Sequence, residues 1–172
     1  DLMNREYMGW NGRYSSNILV SANPLVWGSF GGYKLAAAVM IILTFLVFYM
    51  FFGTAFRKSV SRKHLITISL IGTLISLHGM PSLAEAIYWF TGAVTYHLAN
   101  CGLLVYITLL IKLYRSKSIG TSLIYTLLAA VTLLVTIGLN EITMLFLVCF
   151  SAGISIVSLI KKLPGRTWFI IL

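Results

Sequence analysis

The sequence predicts an all-α protein: a polytopic bundle of transmembrane helices with interfacial amphipathic helices on its outer face. Three observations lead to this prediction. Of the 172 residues, 59% are hydrophobic and only 10% are charged, and the mean hydropathy is +0.92; a soluble domain carries about 25% charged residues. The apolar residues lie in long runs without charge, and the basic residues form short clusters between these runs. So few polar residues could not cover a water-exposed surface, which indicates a chain that folds in a bilayer.

Four runs have the length of about 20 mostly apolar residues that a spanning helix needs. They cover residues 35–52, 92–111, 121–139 and 142–160. A fifth run, 65–77, is short for a full crossing, but the charge pattern on its two sides requires a crossing there. Another span begins at about residue 167, and the chain starts at Asp1 rather than at a Met. These features of the two ends favour the interpretation that the chain is a piece of a larger polytopic protein. The competing interpretation is a small complete subunit.

The charged residues are segregated along the chain, which has a net charge of +9. Ten of the thirteen Lys and Arg residues lie in three clusters: Arg57, Lys58, Arg62 and Lys63, then Lys112, Arg115 and Lys117, then Lys161, Lys162 and Arg166. With five crossings all three clusters fall on one side, which the positive-inside rule makes cytoplasmic. The four acidic residues, Asp1, Glu6, Glu85 and Glu141, fall on the other side. Basic residues spaced in this way orient membrane helices, so we expect no nucleic-acid partner.

Residues 1–34 form the predicted outer-face segment, and residues 35–172 form the transmembrane region. Large apolar residues recur at helical spacing near the N-terminus: Met3, Tyr7, Trp10, Tyr14 and Ile18. This stripe is typical of an amphipathic helix that lies on a membrane surface, with its aromatic rings at the depth of the headgroups. Pro24 ends any helix that reaches it, and Gly28, Gly31 and Gly32 then predict a flexible connection to the first span. Glu6 and Arg13 share one edge of the helix, where an ordinary surface ion pair is the simpler interpretation.

Four later residues are candidates for the same outer face. His97 lies beside Tyr96 within a predicted span, where an ionisable residue usually faces a cavity or a partner; a hydrogen-bonded core histidine is equally compatible. Asn140 and Glu141 separate the last two full spans, as a solvated loop tip or as part of a site.

Cys101 and Cys149 lie in apolar runs and indicate neither a disulfide framework nor a metal site.

Asp1 is an acidic residue that could lie at the end of a preceding span. It is followed by Trp10, Asn11, Gly12, Arg13 and Tyr14. This arrangement resembles polytopic glycosyltransferases of the GT-C type, in particular a poorly characterised bacterial family with a W-x-G-R-[YF] element in its first outer loop. The segments 88–96 and 138–141 are also similar to elements of that family.

The resemblance implies an enzyme of the cytoplasmic (inner) membrane that takes a sugar from a polyprenyl-phosphate carrier. The sugar passes, on the extracytoplasmic face, to a glycan, lipid or protein acceptor. The resemblance implies Asp1 as the general base, with Glu6 in reserve. A lipid phosphate needs cationic donors, for which Arg13 and Arg5 are the candidates and Lys34 is a weaker one. The expected substrate cavity includes Trp10, Asn11, Tyr96, His97, Asn140 and Glu141. No metal or cofactor is demanded by these residues.

A non-enzymatic component of the membrane, such as a segment of a carrier-lipid flippase or an assembly subunit, is the alternative. An enzyme of this class would have one outer cavity that holds Asp1, Arg13, His97 and Glu141. A flippase would present polar groups continuously from one side of the membrane to the other.

Overall fold

The computed structural model describes residues 12–56, 59–162 and 169, and this part of the chain is helical, without a strand. The helices are α1 (Tyr14–Ser21), α2 (Phe30–Phe56), α3 (Arg62–His78), α4 (Phe90–Tyr114), α5 (Ile119–Ile137) and α6 (Glu141–Ile160). A 3₁₀ turn covers Pro24–Trp27, and two π-helical turns cover Ala84–Tyr88 and, inside α4, Ala93–His97. The predicted all-α fold is confirmed.

Helices α2, α4, α5 and α6 are long and apolar enough to cross a membrane. They coincide with the four predicted full spans, and α2 begins five residues earlier than the first predicted span. It begins there because the side chain of Ser29 accepts a hydrogen bond from the backbone N–H of Gly32 and so caps the helix. Gly31 and Gly32 are therefore helical, which makes the predicted flexible connection wrong at these two positions. Of the three glycines, only Gly28 adopts a left-handed conformation, with φ +68°, where the 3₁₀ turn ends.

Helix α3 corresponds to the short fifth run. Its 17 residues extend about 26 Å at 1.5 Å per residue, slightly less than the ~30 Å of a hydrocarbon core. It lies antiparallel to α2, with Gly72 against the rings of Phe48 and Phe52. Leu74 and Ile75 are exposed on its outer side. A crossing by α3 stays a prediction.

The interior of the bundle contains many small hydroxyl side chains. Thr44, Thr73, Thr108 and Thr136 are buried, and each donates its hydroxyl to the carbonyl oxygen four residues earlier in its helix. The outward faces of α5 and α6 instead carry large aliphatic residues, including Leu127, Val131, Leu145 and Val148. Small residues inside and aliphatic residues outside are typical of helices that pack in lipid, because small side chains let the backbones approach.

Helix α4 lies at the centre of the bundle, packed against α2, α5 and α6. Half of the residues in its most apolar stretch are buried, compared with 22% or less in the other three long helices. One apolar cluster around Tyr106 joins α4 to α5 and α6, and another around Met40 and Ile87 joins α2 to the residues that precede and begin α4.

Successive helices from α2 to α6 alternate in direction, so the connections between them lie at two opposite ends of the bundle. These two ends carry different residues. The described basic residues at one end are Arg62, Lys63, Lys112, Arg115, Lys117, Lys161 and Lys162, and we call it the basic end. The opposite end holds α1, residues 79–89 and residues 138–140, and we call it the α1 end.

Candidate functional site

Five of the site residues predicted from the sequence lie outside the described residues: Asp1, Arg5, Glu6, Trp10 and Asn11. Their roles as base, phosphate ligand and cavity wall stay predictions. The other candidates lie within the described part of the chain.

Arg13, Tyr96 and Glu141 lie together at the α1 end, and we call them the Arg13 cluster. The Nε atom of Arg13 donates to both carboxylate oxygens of Glu141, at 2.7 Å each. The guanidinium carbon lies 5.9 Å from the centroid of the Tyr96 ring, within the range of a cation–π contact. The hydrogen bond to Glu141 raises the pKa of Arg13 above its ordinary value, so the guanidinium stays charged. The side chains of Arg13 and Glu141 are 29% and 48% exposed, so the pair stabilises the fold by at most about 1 kcal/mol.

Helix α1 places Arg13 by docking on the end of α5. The N–H of Ser16 donates to the carbonyl oxygen of Gly138 at 3.1 Å, and the hydroxyl of Tyr14 donates to the carbonyl oxygen of Leu134. The hydroxyl oxygens of Ser16 and Thr95 lie 2.6 Å apart. These contacts join α1 to α5 and to the π turn of α4. Arg13, which directly precedes α1, consequently lies over the first residue of α6, Glu141.

Helix α1 covers only the last part of the predicted amphipathic helix. Two residues of the predicted apolar stripe, Tyr14 and Ile18, lie on it, and both are exposed, whereas its buried residue is Ser16. Met3, Tyr7 and Trp10 lie outside the described residues. The position of the stripe on a membrane surface stays a prediction.

His97 points into the bundle, away from the Arg13 cluster. Its side chain is 2% exposed, while that of the preceding Tyr96 is 48% exposed. Its Nε2 lies 2.6 Å from the hydroxyl oxygen of Thr44 on α2 and 3.8 Å from the sulfur of Cys101. Its Nδ1 is buried, with no hydrogen-bond partner in the described part of the chain. The structure thus brings Arg13, Tyr96 and Glu141 together and places His97 against α2.

A π turn accounts for the inward position of His97. The N–H of Leu98 bonds to the carbonyl oxygen of Ala93, five residues earlier, and this turn ends at His97. Such a turn holds one residue more than an α-helical turn and is frequent at functional sites. Sequence reasoning did not identify Thr44 as the partner of His97, although Thr44 is the single Ser or Thr in the apolar run 35–52.

The remaining two candidates, Asn140 and Lys34, are not part of the Arg13 cluster. Asn140 is buried and caps the beginning of α6, since its side-chain oxygen accepts from the N–H groups of Ile142 at 2.8 Å and Thr143 at 3.2 Å. This contact satisfies backbone donors that the first turn of a helix leaves unpaired. Lys34 is exposed near the beginning of α2.

The Arg13 cluster can therefore present a charged guanidinium and an aromatic ring at one end of the bundle, where a membrane interface would lie. Comparison of the chain with protein family models, with curated proteins and with solved structures found no match.

Proposed function

We propose that this chain belongs to a membrane glycosyltransferase that moves a sugar from a polyprenyl-phosphate carrier to a glycan, lipid or protein acceptor. The observation that supports the proposal is the Arg13 cluster. It holds a charged guanidinium beside the exposed ring of Tyr96 at the end of the bundle. Tyr side chains favour the headgroup level of a membrane, which is the depth of a carrier phosphate.

The proposed reaction exchanges one bond to the sugar for another. Asp1, or Glu6 in reserve, takes the proton of an acceptor hydroxyl as the hydroxyl oxygen attacks the anomeric carbon. The bond from that carbon to the carrier phosphate breaks, and the phosphate leaves with the electron pair. Arg13, assisted by Arg5, stabilises the negative charge on the phosphate, because a guanidinium matches phosphate oxygens with paired N–H donors. A positioned general base contributes about 10²–10⁴ in rate.

The proposal includes a location. The positive-inside rule puts the basic end in the cytoplasm. The α1 end then faces the extracytoplasmic side of the bacterial inner membrane, where the carrier-linked sugar and the acceptor would meet.

Donor binding by Arg13 is the first test. We expect affinity for a polyprenyl-phosphate sugar in nanodiscs to fall in the order wild type, Arg13→Lys, Arg13→Ala, because Lys keeps the charge but loses the paired donors. Arg62→Ala, an exposed Arg at the basic end, is the matched control and should bind normally. Glu141→Gln should bind more tightly than wild type, since it removes a carboxylate that holds Arg13. Equal affinity of the three forms at position 13 would remove Arg13 from the site.

The general base is the second test of the proposal. Asp1→Asn keeps the shape of the side chain but not its ability to accept a proton, so transfer should drop by about 10² or more. Normal transfer by Asp1→Asn and loss of transfer in Glu6→Gln would assign the base to Glu6. Normal transfer by both variants would contradict the transferase proposal and favour a non-enzymatic membrane component.

A further inference from the structure

Two cavities adjoin at the basic end of the bundle. The first, about 590 Å³, lies between α4 and α6 and is lined mainly by apolar side chains, including Leu110, Ile111, Phe150, Ile154, Val157 and Phe169. The second, about 350 Å³, lies where α2 and α4 end and α5 begins, and its lining includes Thr54, Lys112, Arg115, Ser116, Thr121 and Tyr125. Arg115 lines both cavities. An apolar space and a cationic space thus share one guanidinium.

The cationic cavity is built around a fixed Arg. The guanidinium of Arg115 donates to the carbonyl oxygens of Thr54 and Ala55, which hold it at the end of α2. Lys112 lies one turn earlier on α4 and opens onto the same cavity. The acidic residues in the described ranges, Glu85 and Glu141, both lie at the α1 end. No described carboxylate therefore offsets the positive charge around this cavity.

The apolar cavity contains one polar group without a partner. Ser158 is fully buried, lines the cavity, and its hydroxyl has no hydrogen-bond partner among the residues that the structure describes. It lies one turn before Lys161, hence near the basic end of α6. A buried hydroxyl without a partner costs free energy that a ligand acceptor would recover.

We propose that the basic end binds one anionic phospholipid. Its phosphate lies in the cationic cavity between Lys112 and Arg115, one acyl chain lies in the apolar cavity along α4 and α6, and an ester carbonyl accepts from Ser158. Charge complementarity favours this occupant over a neutral lipid, since basic pockets between transmembrane helices bind anionic headgroups. The adjoining apolar cavity favours it over a soluble phosphate, which would leave that space unfilled.

Binding is tested by native mass spectrometry of the purified full chain titrated with phosphatidylglycerol, phosphatidylcholine or glycerol 3-phosphate. We expect tighter binding of phosphatidylglycerol than of the other two probes. Lys112→Gln should weaken phosphatidylglycerol binding about fivefold, the effect of one basic residue near an anionic lipid. Lys117→Gln is the matched control, because Lys117 is exposed at the same end and lines neither cavity. It should bind like wild type.

Gly153→Phe tests the acyl-chain site independently of charge. Gly153 lines the apolar cavity, and a Cβ there would meet no atom within 4 Å, so a larger side chain begins in open space beside the cavity. We expect this variant to keep its helix content and to lose phosphatidylglycerol binding. Four results would each overturn the proposal: equal binding of the two lipids, equal binding of glycerol 3-phosphate and phosphatidylglycerol, equal effects of the two Lys substitutions, or unchanged lipid binding in Gly153→Phe.

Discussion

Thr44 and His97 illustrate how a buried polar residue is accommodated within an apolar bundle. The hydroxyl of Thr44 donates to the carbonyl oxygen of Met40 at 2.7 Å. Its single proton is then engaged, so Nε2 of His97, 2.6 Å away, is the donor to Thr44. One threonine thereby joins the imidazole on α4 to the backbone of α2.

We predict that Thr44→Val destabilises the protein by about 1–3 kcal/mol, because it leaves a buried Nε2–H without an acceptor. Thr108→Val is the matched control: Thr108 is equally buried and makes the same bond to its own helix, with Leu104, but its hydroxyl contacts no histidine. Its loss should cost much less, and Thr44→Ser should be close to wild type. Free energies of unfolding in detergent measure the difference; equal costs for the two Val variants would show that the His97 contact is not stabilising.

Individual site residues could be predicted better than their partners. The sequence pointed to Arg13, Tyr96 and Glu141 separately, as polar or aromatic residues on one face of the membrane. It did not predict that Arg13 bonds to Glu141, 128 positions away. Helical spacing relates residues on one helix, whereas this pair depends on the docking of α1 against α5.

At the scale of elements, hydropathy located the helices, and local hydrogen bonds determine where they begin. Side chains of Ser61, Ser118 and Asn140 cap α3, α5 and α6 by accepting from first-turn N–H groups. Hydropathy could not predict which face of each helix is buried, because every face of these spans is largely apolar. At least one small hydroxyl residue is buried on each of the four long spans, among apolar residues. The two π turns, Ala84–Tyr88 and Ala93–His97, were not predicted from the sequence either.

The contact between α1 and α5 depends on the absence of a side chain at Gly138. A Cβ at this position would overlap the ring of Tyr14 and the hydroxyl of Ser15. We predict that Gly138→Ala destabilises the protein by about 1–3 kcal/mol, the usual cost of overpacking. Gly153→Ala, whose Cβ would meet nothing within 4 Å, should be neutral or slightly stabilising, because Ala favours a helix over Gly. Thermal unfolding of both variants measures this, and equal melting temperatures would contradict the docking contact.

Helices α4 and α5 approach each other closely at Gly102. A Cβ at Gly102 would overlap the side chain of Thr136, and small residues at such crossings let helix backbones meet. We predict that Gly102→Ala costs about 1–3 kcal/mol and that adding Thr136→Ala recovers part of this loss. The double variant is compared with both single variants in a thermodynamic cycle. Additive effects of the two substitutions would show that the helices are not in contact at this point.

At the scale of the whole molecule, the asymmetry of charge between the two ends relates the fold to a membrane. The basic end carries the described Lys and Arg clusters, while Glu85 and Glu141 lie at the α1 end. The side on which each charged residue lies follows from the number of crossings that precede it in the chain. This segregation could therefore be predicted from the sequence. That number includes α3, whose 17 residues are fewer than those of the four long helices. Orientation in the membrane therefore depends on whether α3 crosses it.

We predict that single cysteines at Ser61 and Lys117 resist an impermeant thiol reagent in intact cells, whereas a cysteine at Ser82 reacts. The reason is that the positive-inside rule places the connections before α3 and after α4 on the cytoplasmic side, and the connection between α3 and α4 outside. The background carries Cys101→Ala and Cys149→Ala, which remove the native thiols. Ser61 and Lys117 are exposed, so both cysteines should react once the membrane is permeabilised, which excludes burial as the cause of protection. If α3 does not cross, Ser61 and Ser82 will label alike, and the Arg13 cluster and the basic end would no longer lie on opposite faces as proposed.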